Sequence, residues 1–339
     1  MKFLSKSRNA NTVNFLCFFI VILITTVSLS SCSSIYYSIA IERNDKSDVV
    51  KSSSREESSE DEKNIFLKNK KWFLSQPYTT LQITSNDGLK LKGYWLPHFD
   101  ENGNTSKNTV ILVHGYSGSA FTMGPFAKTY FEDFGFNVLM PDARGHGSSE
   151  GDYIGFGWPD RFDILDWTNE VTKLIGDDCD IVLHGISMGG ATVLMVSGEA
   201  LPSQIKCIVE DCGYTSVWDE LRFQMIHFRN IKNPDPILER TSEYTKRKVG
   251  YGFKEASALE QVKKATVPIL FIHGGADSFV PTEMVYELYD ACPTTKELFV
   301  VDGAEHGRSC VVAEEEYIDK VKNFIRREGL IPRPALAVF

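Results

Sequence analysis

A serine enclosed by two glycines is the residue of this chain best suited to nucleophilic chemistry. The segment Gly185-Ile186-Ser187-Met188-Gly189 follows a short apolar run and precedes a helical pattern. Such spacing is typical of a sharp strand-to-helix turn, where the serine hydroxyl stands above a sheet and only small residues let strand and helix approach closely. The pattern predicts that Ser187 is a nucleophile. Ser117, in Gly115-Tyr116-Ser117-Gly118, is a rival, but its second glycine comes one position too early.

A serine hydroxyl is a poor nucleophile until a base takes its proton, and the sequence offers a base and an acid to orient it. His306 lies in the glycine-rich segment 303–307, and a neutral imidazole accepts protons near pH 7. Asp277 follows the preceding apolar run and is suited to hold the tautomer of that imidazole. Ser187, Asp277 and His306 each come just after a predicted strand, so we expect them to meet at one sheet edge.

The acidic residue has alternatives that the sequence leaves open. Asp277 precedes Val280-Pro281 and could instead cap the next helix. Asp211, at the end of an earlier predicted strand, would then be the substitute acid. Asp302 is too near His306 in the sequence to be an attractive partner.

Further motifs surround this serine in a fixed order along the chain. They are His114-Gly115, the segment 142–149, His273-Gly274-Gly275-Ala276-Asp277 and the segment 303–307. With the serine turn, they make residues 75–330 resemble the α/β-hydrolase family, most closely bacterial membrane-anchored hydrolases of the serine aminopeptidase and esterase-like branches. The resemblance implies that the loop after His114-Gly115 forms an oxyanion hole. The expected oxyanion donors are the backbone N–H groups of Tyr116 and Met188.

The remaining pattern predicts how these residues are positioned. Residues 81–83 and 89–96 flank the turn signal Asn86-Asp87-Gly88, which indicates an antiparallel hairpin. After the hairpin, short apolar runs alternate with helical patterns, and the predicted strands are 110–113, 137–140, 181–183, 205–209, 268–272 and 298–301. Buried strands joined by helical crossovers predict one α/β domain, with a mostly parallel sheet and helices on both faces.

The interval 213–265 is too long for a single crossover and predicts a helical cap over the carboxyl edge of the sheet. Ligands of open α/β sheets bind at that edge. The aromatic side chains of this interval favour an apolar pocket and a modest-sized ester substrate, cleaved without a cofactor or metal. A peptidase is the alternative, with Glu220, Glu239 and Glu243 available to hold a substrate ammonium. A catalytically silent surface-binding protein on the same fold is a third possibility, which loss of a triad residue would have favoured.

The first forty residues are a separate segment. Three basic residues within 2–8 precede an apolar run over 15–27, a pattern typical of an export signal or membrane anchor. The run ends in Leu29-Ser30-Ser31-Cys32, which resembles the lipobox of bacterial lipoproteins and makes Cys32 a lipidation candidate. An uncleaved N-terminal helix is the alternative. Either anchor would place the catalytic domain outside the cytoplasm.

Composition sets the remaining limits. Residues 41–64 are rich in Ser, Lys, Asp and Glu and predict a solvated polar tether, followed by the hydrolase domain over 65–339. Across 339 residues, 42% are hydrophobic and the net charge is −9, which excludes a mostly disordered chain and disfavours nucleic acid as a partner. Seven cysteines are too few for a disulfide scaffold, and none has a zinc-ligand spacing. The expected partners are therefore a small ester or short peptide substrate and a membrane, while the oligomeric state stays open.

Overall fold

The computed structural model describes residues 33–43 and 68–332. Predictions for the remaining residues, including the lipidation candidate Cys32 and most of the polar tether, lie outside the described residues. Within the two described ranges, no helix has the length and apolar character needed to cross a lipid bilayer.

One eight-stranded sheet organises the described part of the chain. Its strands are β1 (Thr79–Thr84), β2 (Lys90–Leu96), β3 (Asn108–Val113), β4 (Asn137–Pro141), β5 (Asp180–Ile186), β6 (Ile205–Asp211), β7 (Ile269–Gly274) and β8 (Lys296–Val301). They lie in the order β1-β2-β4-β3-β5-β6-β7-β8. β2 pairs antiparallel with β1 and β4, whereas the other neighbouring pairs are parallel. The predicted hairpin and mostly parallel sheet are confirmed.

Helices cover both faces of the sheet. Two short ones come first, α1 (33–40) and α2 (68–74). A helical stretch, α3, follows as three successive turns, Ala120–Met123, Gly124–Lys128 and Thr129–Asp133. The others are α4 (Asp160–Ile175), α5 (Met188–Ser197), α6 (Val217–His227), α7 (Asp235–Val249), α8 (Ala258–Val262), α9 (Glu283–Ala291), α10 (Ser309–Val312) and α11 (Glu314–Arg327).

Two hydrophobic cores hold these layers together, one on each face of the sheet. β7 shows the principle, because Phe271 packs into one core while Leu270 and Ile272 pack into the other. Trp167 of α4 lies in the first core and Phe324 of α11 in the second. Each large side chain removed from water contributes roughly 1.5–3 kcal/mol, so both faces stabilise the strands between them.

The strand order reverses next to β3, which creates a crevice at the carboxyl edge of the sheet. From β3 the chain moves to β4 on one side and later returns to β5 on the other side. Val113 pairs with Gly185 and Ile186 pairs with Asp211, so the loops after β3, β5 and β6 emerge together. Open α/β sheets bind their ligands at such a switch point.

The predicted insertion 213–265 contains the three helices α6, α7 and α8. The side chains of Ser216 and Ser257 accept hydrogen bonds from Asp219 N and Glu260 N, which caps the first turns of α6 and α8. Gly250 ends α7 in a left-handed conformation that glycine adopts easily. These local signals explain why the interval forms separate helices instead of one long crossover.

Residues 33–43 lie against the α/β domain, although the sequence prediction assigned them to the anchor and the tether. Tyr37 and Ile41 are buried in the core, and their spacing of four residues places them on one face of a helical turn. The serine-rich composition around them conceals this apolar face. The packed region therefore includes residues on the N-terminal side of the predicted domain start at 65.

Candidate active site

Ser187 occupies a strained turn between β5 and α5. Its backbone has φ 57° and ψ −119°, a conformation that costs free energy for a residue with a side chain. A Cβ at position 185 would lie 2.1 Å from Gly189 O, and one at position 189 would lie 2.0 Å from Val113 O. Both glycines are therefore needed for the close approach of strand and helix that raises the serine above the sheet.

The structure brings Ser187, His306 and Asp277 into one hydrogen-bonded chain. His306 Nε2 lies 2.8 Å from Ser187 Oγ, and His306 Nδ1 lies 2.7 Å from Asp277 Oδ2. An ionised carboxylate only accepts hydrogen bonds, so Nδ1 carries the proton and Nε2 is left to accept from the serine hydroxyl. The His306 side chain is 23% exposed, whereas the Asp277 side chain is fully buried. This arrangement can remove the proton from a serine that attacks a carbonyl carbon.

Asp277 is held as an anion by its neighbours. Its Oδ1 atom accepts hydrogen bonds from Phe279 N and Val280 N, both at 2.9 Å. Burial by itself would raise the pKa of Asp277, but the adjacent His306 and His273 rings hold that pKa well below its ordinary value. The carboxylate thus fixes the following turn with one oxygen and orients His306 with the other. It does not cap the next helix, α9, which begins after Thr282 without a side-chain cap.

The rival residues lie outside this chain of hydrogen bonds. Both ring nitrogens of His306 already face Ser187 and Asp277. Asp211 is buried at the end of β6, where it accepts a hydrogen bond from Ser309 Oγ at 3.2 Å. Ser117 and Asp302 are exposed. Of the two candidate acids, the geometry favours Asp277.

The loop after β3 passes directly beside the serine. A Cβ built on Gly115 would lie 3.4 Å from Ser187 Cβ and 3.8 Å from its Oγ. His114 secures this loop, because its Nδ1–H donates to Gly115 O at 2.8 Å while its Nε2 accepts from Ala143 N at 3.0 Å. Burial lowers the pKa of His114 to about 3, which keeps this ring neutral. The loop is therefore fixed at the position expected of oxyanion donors.

The two predicted oxyanion residues both line the cleft above Ser187. Met188 begins α5, where the first backbone N–H groups of a helix have no partner within the helix. Tyr116 is held by its carbonyl oxygen, which lies 2.7 Å from His146 Nε2. The sequence did not reveal that His114 and His146 hold this loop in place through hydrogen bonds. No local pattern distinguishes a histidine with such a role from any other histidine.

The turn after β4 is structural. Asp142 accepts hydrogen bonds from Ala120 N and Ser148 N, both at 2.8 Å. Arg144 binds both carboxylate oxygens of Asp163 at 2.7 Å and also reaches Asp87. A bidentate ion pair of this kind fixes orientation. Asp142 and Arg144 thus stabilise the turn through separate partners and do not bind each other.

We call the space above Ser187 the Ser187 cleft; it opens to solvent and has a volume of about 950 Å³ when its solvent-open part is included. Its walls come from α1, the loop after β3, the serine turn and the cap, and most of the lining side chains are apolar or aromatic. They are Tyr36, Ile39, Ala40, Tyr116, Phe156, Ser187, Met188, Tyr214, Glu220, Leu221, Gln224, Met225, Phe228, Arg229, Leu238, Thr241, Phe253, Phe279 and Val280. An apolar cleft that contains few polar groups is typical of a small-molecule site.

Glu220 is the carboxyl group among these lining residues. It is 4% exposed, and its Oε1 atom accepts from Gln224 Nε2 at 2.8 Å. Its other oxygen, Oε2, has no hydrogen-bond partner among the described residues. Burial raises the pKa of Glu220 to about 8. Glu239 and Glu243, the other two acidic candidates of the cap, are exposed and lie outside the cleft lining.

A thiol lies next to the hydrogen-bonded chain. Ligand atoms of Cys212, Asp277 and His306 all lie within 4.8 Å of one another, a spacing that a metal ion could bridge. Both Asp277 and His306 already use these atoms in hydrogen bonds, and burial raises the pKa of the Cys212 thiol well above its ordinary value. This donor set therefore fits the serine chemistry better than a metal. The five cysteines of the described residues are free thiols.

The fold and the site together define a class of protein. An eight-stranded α/β sheet carries a serine on a strand-to-helix turn, with a histidine and an aspartate on later loops. The model of the Alpha/beta hydrolase family matches residues 110–321, more than half of the chain. The chain belongs to this family.

Similar proteins come from bacteria, archaea and yeast. YqkD of Bacillus subtilis (strain 168) is 27% identical over 251 residues, which cover 73% of this chain and 79% of YqkD. Protein bem46 of Schizosaccharomyces pombe is 22% identical over 223 residues, covering 66% of this chain and 68% of bem46. The solved structure of the esterase Pf2001 of Pyrococcus furiosus is 27% identical, with a TM-score of 0.61 over 76% of this chain and 93% of the esterase. These similarities support a hydrolase.

Proposed function

We propose that the protein is a serine hydrolase that cleaves carboxylic esters through an acyl-enzyme intermediate. The observation that carries the proposal is the hydrogen-bonded chain of Ser187, His306 and Asp277 at the base of an apolar cleft. The similarity to the esterase Pf2001 supports the same reaction class.

In the first half-reaction, Ser187 Oγ attacks the carbonyl carbon of the ester while His306 Nε2 takes the hydroxyl proton. Asp277 stabilises the resulting imidazolium through Nδ1. The backbone N–H groups of Tyr116 and Met188 stabilise the negative charge on the carbonyl oxygen. When the carbon–oxygen bond of the ester breaks, His306 returns the proton to the leaving oxygen, and an alcohol departs from the acyl-enzyme.

In the second half-reaction, water replaces the alcohol. His306 takes a proton from the water as its oxygen attacks the acyl carbon, and the same two N–H groups stabilise the second oxyanion. The bond to Ser187 Oγ then breaks, the serine recovers its proton from His306, and a carboxylic acid is released. Each proton moves through His306, and the chemistry needs no cofactor or metal.

The cleft favours a neutral, apolar ester over a peptide with a free amino terminus. An aminopeptidase must hold a substrate ammonium, and Glu220 is the carboxyl group positioned in the cleft to do so. The burial that raises the pKa of Glu220 to about 8 favours its uncharged form at neutral pH, which weakens that role. Peptide hydrolysis is therefore the second candidate function, and its support is the position of Glu220.

We also propose that the N-terminal segment attaches the enzyme to the outer face of the cytoplasmic membrane. The support is the basic and apolar pattern of residues 2–27 and the lipobox-like segment that ends at Cys32. Mass spectrometry of the mature N-terminus tests this proposal. A lipidated Cys32 at the N-terminus indicates a lipid anchor, and an intact Met1 on protein in the membrane fraction indicates an uncleaved helix. Recovery of the protein in the soluble cytoplasmic fraction would contradict both.

A fluorophosphonate probe tests the serine chemistry. Detergent-solubilised full-length protein should be labelled, as should Ser117→Ala, whereas Ser187→Ala should not be labelled. The loss of hydrolysis in Ser187→Ala should be on the order of 10⁴–10⁶-fold in kcat. Labelling of Ser187→Ala, or no labelling of the wild-type protein, would contradict the proposal.

A substrate comparison separates the two candidate reactions. Short-chain aryl esters and aminoacyl anilides are assayed with the same wild-type preparation, and Ser187→Ala is the control in both assays. We expect kcat/KM to be higher for the esters. Higher kcat/KM for the anilides would favour the peptidase.

A further inference from the structure

Helix α1 and the residues after it are anchored firmly on the domain. Tyr37 is buried against Tyr244 of α7, with ring centroids 5.2 Å apart and an interplanar angle of 71°. Ile41 is completely buried four residues later. These two contacts fix the rotation of α1, because they place one helix face in the core.

Backbone hydrogen bonds fix the position of this segment along the chain. Ile154 N donates to Ile41 O at 2.7 Å, and Arg43 N donates to Asp152 O at 2.8 Å. The Arg43 guanidinium also donates to Ser149 O at 2.7 Å. The segment therefore has a defined register on the turn after β4.

The opposite side of α1 reaches the active site. Tyr36, Ile39 and Ala40 line the Ser187 cleft. The phenolic hydroxyl of Tyr116 donates to Ala40 O at 2.7 Å. Tyr116 belongs to the loop expected to supply an oxyanion donor, so α1 contacts both the open cleft and the loop beside the serine.

We infer that α1 is part of the substrate-binding site, and that Ile39 limits the length or bulk of the apolar chain that the substrate places in the cleft. The inference rests on the proposed function, and it extends the substrate class to esters whose apolar chain reaches from Ser187 to α1. Ile39 is suited to this role because it is 41% exposed at the cleft wall, where a larger side chain has room to project.

Ile35 provides a matched control on the same helix. It lies one turn before Ile39, has the same side chain and is 55% exposed, but it is outside the cleft lining. Substitutions at the two positions therefore change the exposed surface of α1 similarly, while only those at 39 alter the cleft.

The test compares Ile39→Trp and Ile39→Ala with Ile35→Trp and Ile35→Ala in the full-length protein. One substrate series varies the acid from two to twelve carbons at constant p-nitrophenol, and a second varies the alcohol at constant acetate. In one of the series, Ile39→Trp should lower kcat/KM for long chains relative to two-carbon chains by about tenfold or more, since small changes of volume in an apolar pocket have effects of this size. Ile39→Ala should shift the preference toward longer chains. Both Ile35 variants should retain the wild-type profile.

The outcomes separate this inference from the function on which it rests. Active Ile39 variants with unchanged profiles in both series would overturn the role of α1 and leave the serine hydrolase intact. If the Ile35 variants shift the chain-length profile as much as the Ile39 variants do, the role of Ile39 at the cleft is likewise overturned and the serine hydrolase is unaffected. A wild-type protein with neither labelling nor hydrolysis would overturn the proposed function and this inference with it. Thermal unfolding checks that each variant is folded. If Ile39→Trp is not folded, Ile39→Ala provides the test.

Discussion

Two of the buried carboxyl groups near Ser187 are Asp277 in the sheet domain and Glu220 in the cap, and their surroundings give them different charge states. Asp277 accepts two backbone N–H groups on one oxygen and meets His306 with the other. Glu220 accepts a hydrogen bond from Gln224, and its second oxygen has no partner among the described residues. Burial raises the pKa of both groups, yet the pKa of Asp277 is lowered overall while that of Glu220 rises to about 8.

The difference shows that burial by itself does not decide the charge of a carboxyl group. Hydrogen-bond donors and adjacent imidazole rings stabilise the anion at Asp277, and a nearly apolar wall favours the neutral acid at Glu220. Asp277 is thereby suited to stabilise an imidazolium, whereas Glu220 is suited to line a cleft for a neutral substrate. Substitutions at the two positions should have effects of different kinds and sizes.

The largest effect is expected for Asp277→Asn. The amide cannot stabilise the imidazolium and favours the wrong tautomer of His306, so kcat for a short-chain ester should fall by about 10⁴-fold. Steady-state kinetics at saturating substrate measure this loss. Asp211→Asn is the matched control and should keep most of the activity, because its carboxylate binds Ser309 instead of His306. A larger loss in Asp211→Asn than in Asp277→Asn would show that the acid has been misassigned.

The next largest effect is expected in the pH dependence of the free energy of unfolding, compared between the wild type and Glu220→Gln. The folded protein holds a proton on Glu220 up to about pH 8, whereas the unfolded chain releases it near 4.5. The folded state therefore binds more protons in this window, and its free energy of unfolding falls as pH rises, by about 1.4 kcal/mol for each pH unit. Urea unfolding between pH 4.5 and 8 should show a shallower decline for the variant. A residual slope should remain from other carboxyl groups whose pKa burial raises, among them Glu210, Asp160 and Asp211. Equal slopes would show that Glu220 is charged in the folded protein.

A smaller effect is expected when Glu220→Gln is assayed kinetically. An uncharged amide replaces an uncharged acid, so kcat/KM for neutral esters at pH 7 should stay within about threefold of wild type. Ester and aminoacyl anilide assays are run in parallel. A selective loss of anilide hydrolysis would mean that Glu220 binds an ammonium, and it would favour the peptidase.

The smallest effect is expected for Glu239→Gln, a control in the same cap. Glu239 forms an exposed ion pair with Lys254 at 2.8 Å, and such pairs contribute little. The free energy of unfolding of Glu239→Gln should differ from that of the wild type by less than about 0.5 kcal/mol. Its pH dependence should equal that of the wild type, unlike the pH dependence expected for Glu220→Gln. If Glu239→Gln alters the pH dependence of unfolding as much as Glu220→Gln does, the effect is a general consequence of removing a carboxyl group from the cap.

The sequence predicted the mostly parallel sheet well and the ends of its strands less well. β5 was predicted over 181–183 but extends from Asp180 to Ile186. His184 and Gly185 interrupt the apolar run, and the strand continues through them because Val113 pairs with Gly185 and Asp211 pairs with Ile186. The end of β5 is therefore set by pairing with neighbouring strands, which no local sequence pattern shows.

Residues 33–43 illustrate a second limit. They directly follow the apolar run and serine-rich stretch of the predicted anchor, whereas the structure places Tyr37 and Ile41 in the core and Ile39 at the cleft. The apolar residues of this segment extend over too few helical turns to distinguish a packed helix from the end of the predicted anchor. The site was therefore predicted without the wall that α1 provides.

The sequence by itself indicated the candidate chemistry, because the glycine–serine–glycine turn is a local steric requirement and the serine, aspartate and histidine each follow a predicted strand. Only the tertiary structure decided which aspartate meets His306, which carboxyl group of the cap enters the cleft, and that α1 forms part of its wall. These outcomes depend on distances between residues far apart in the chain. They also depend on the local supply of hydrogen-bond donors, which sets the charge of a buried acid and is fixed only when the chain has folded.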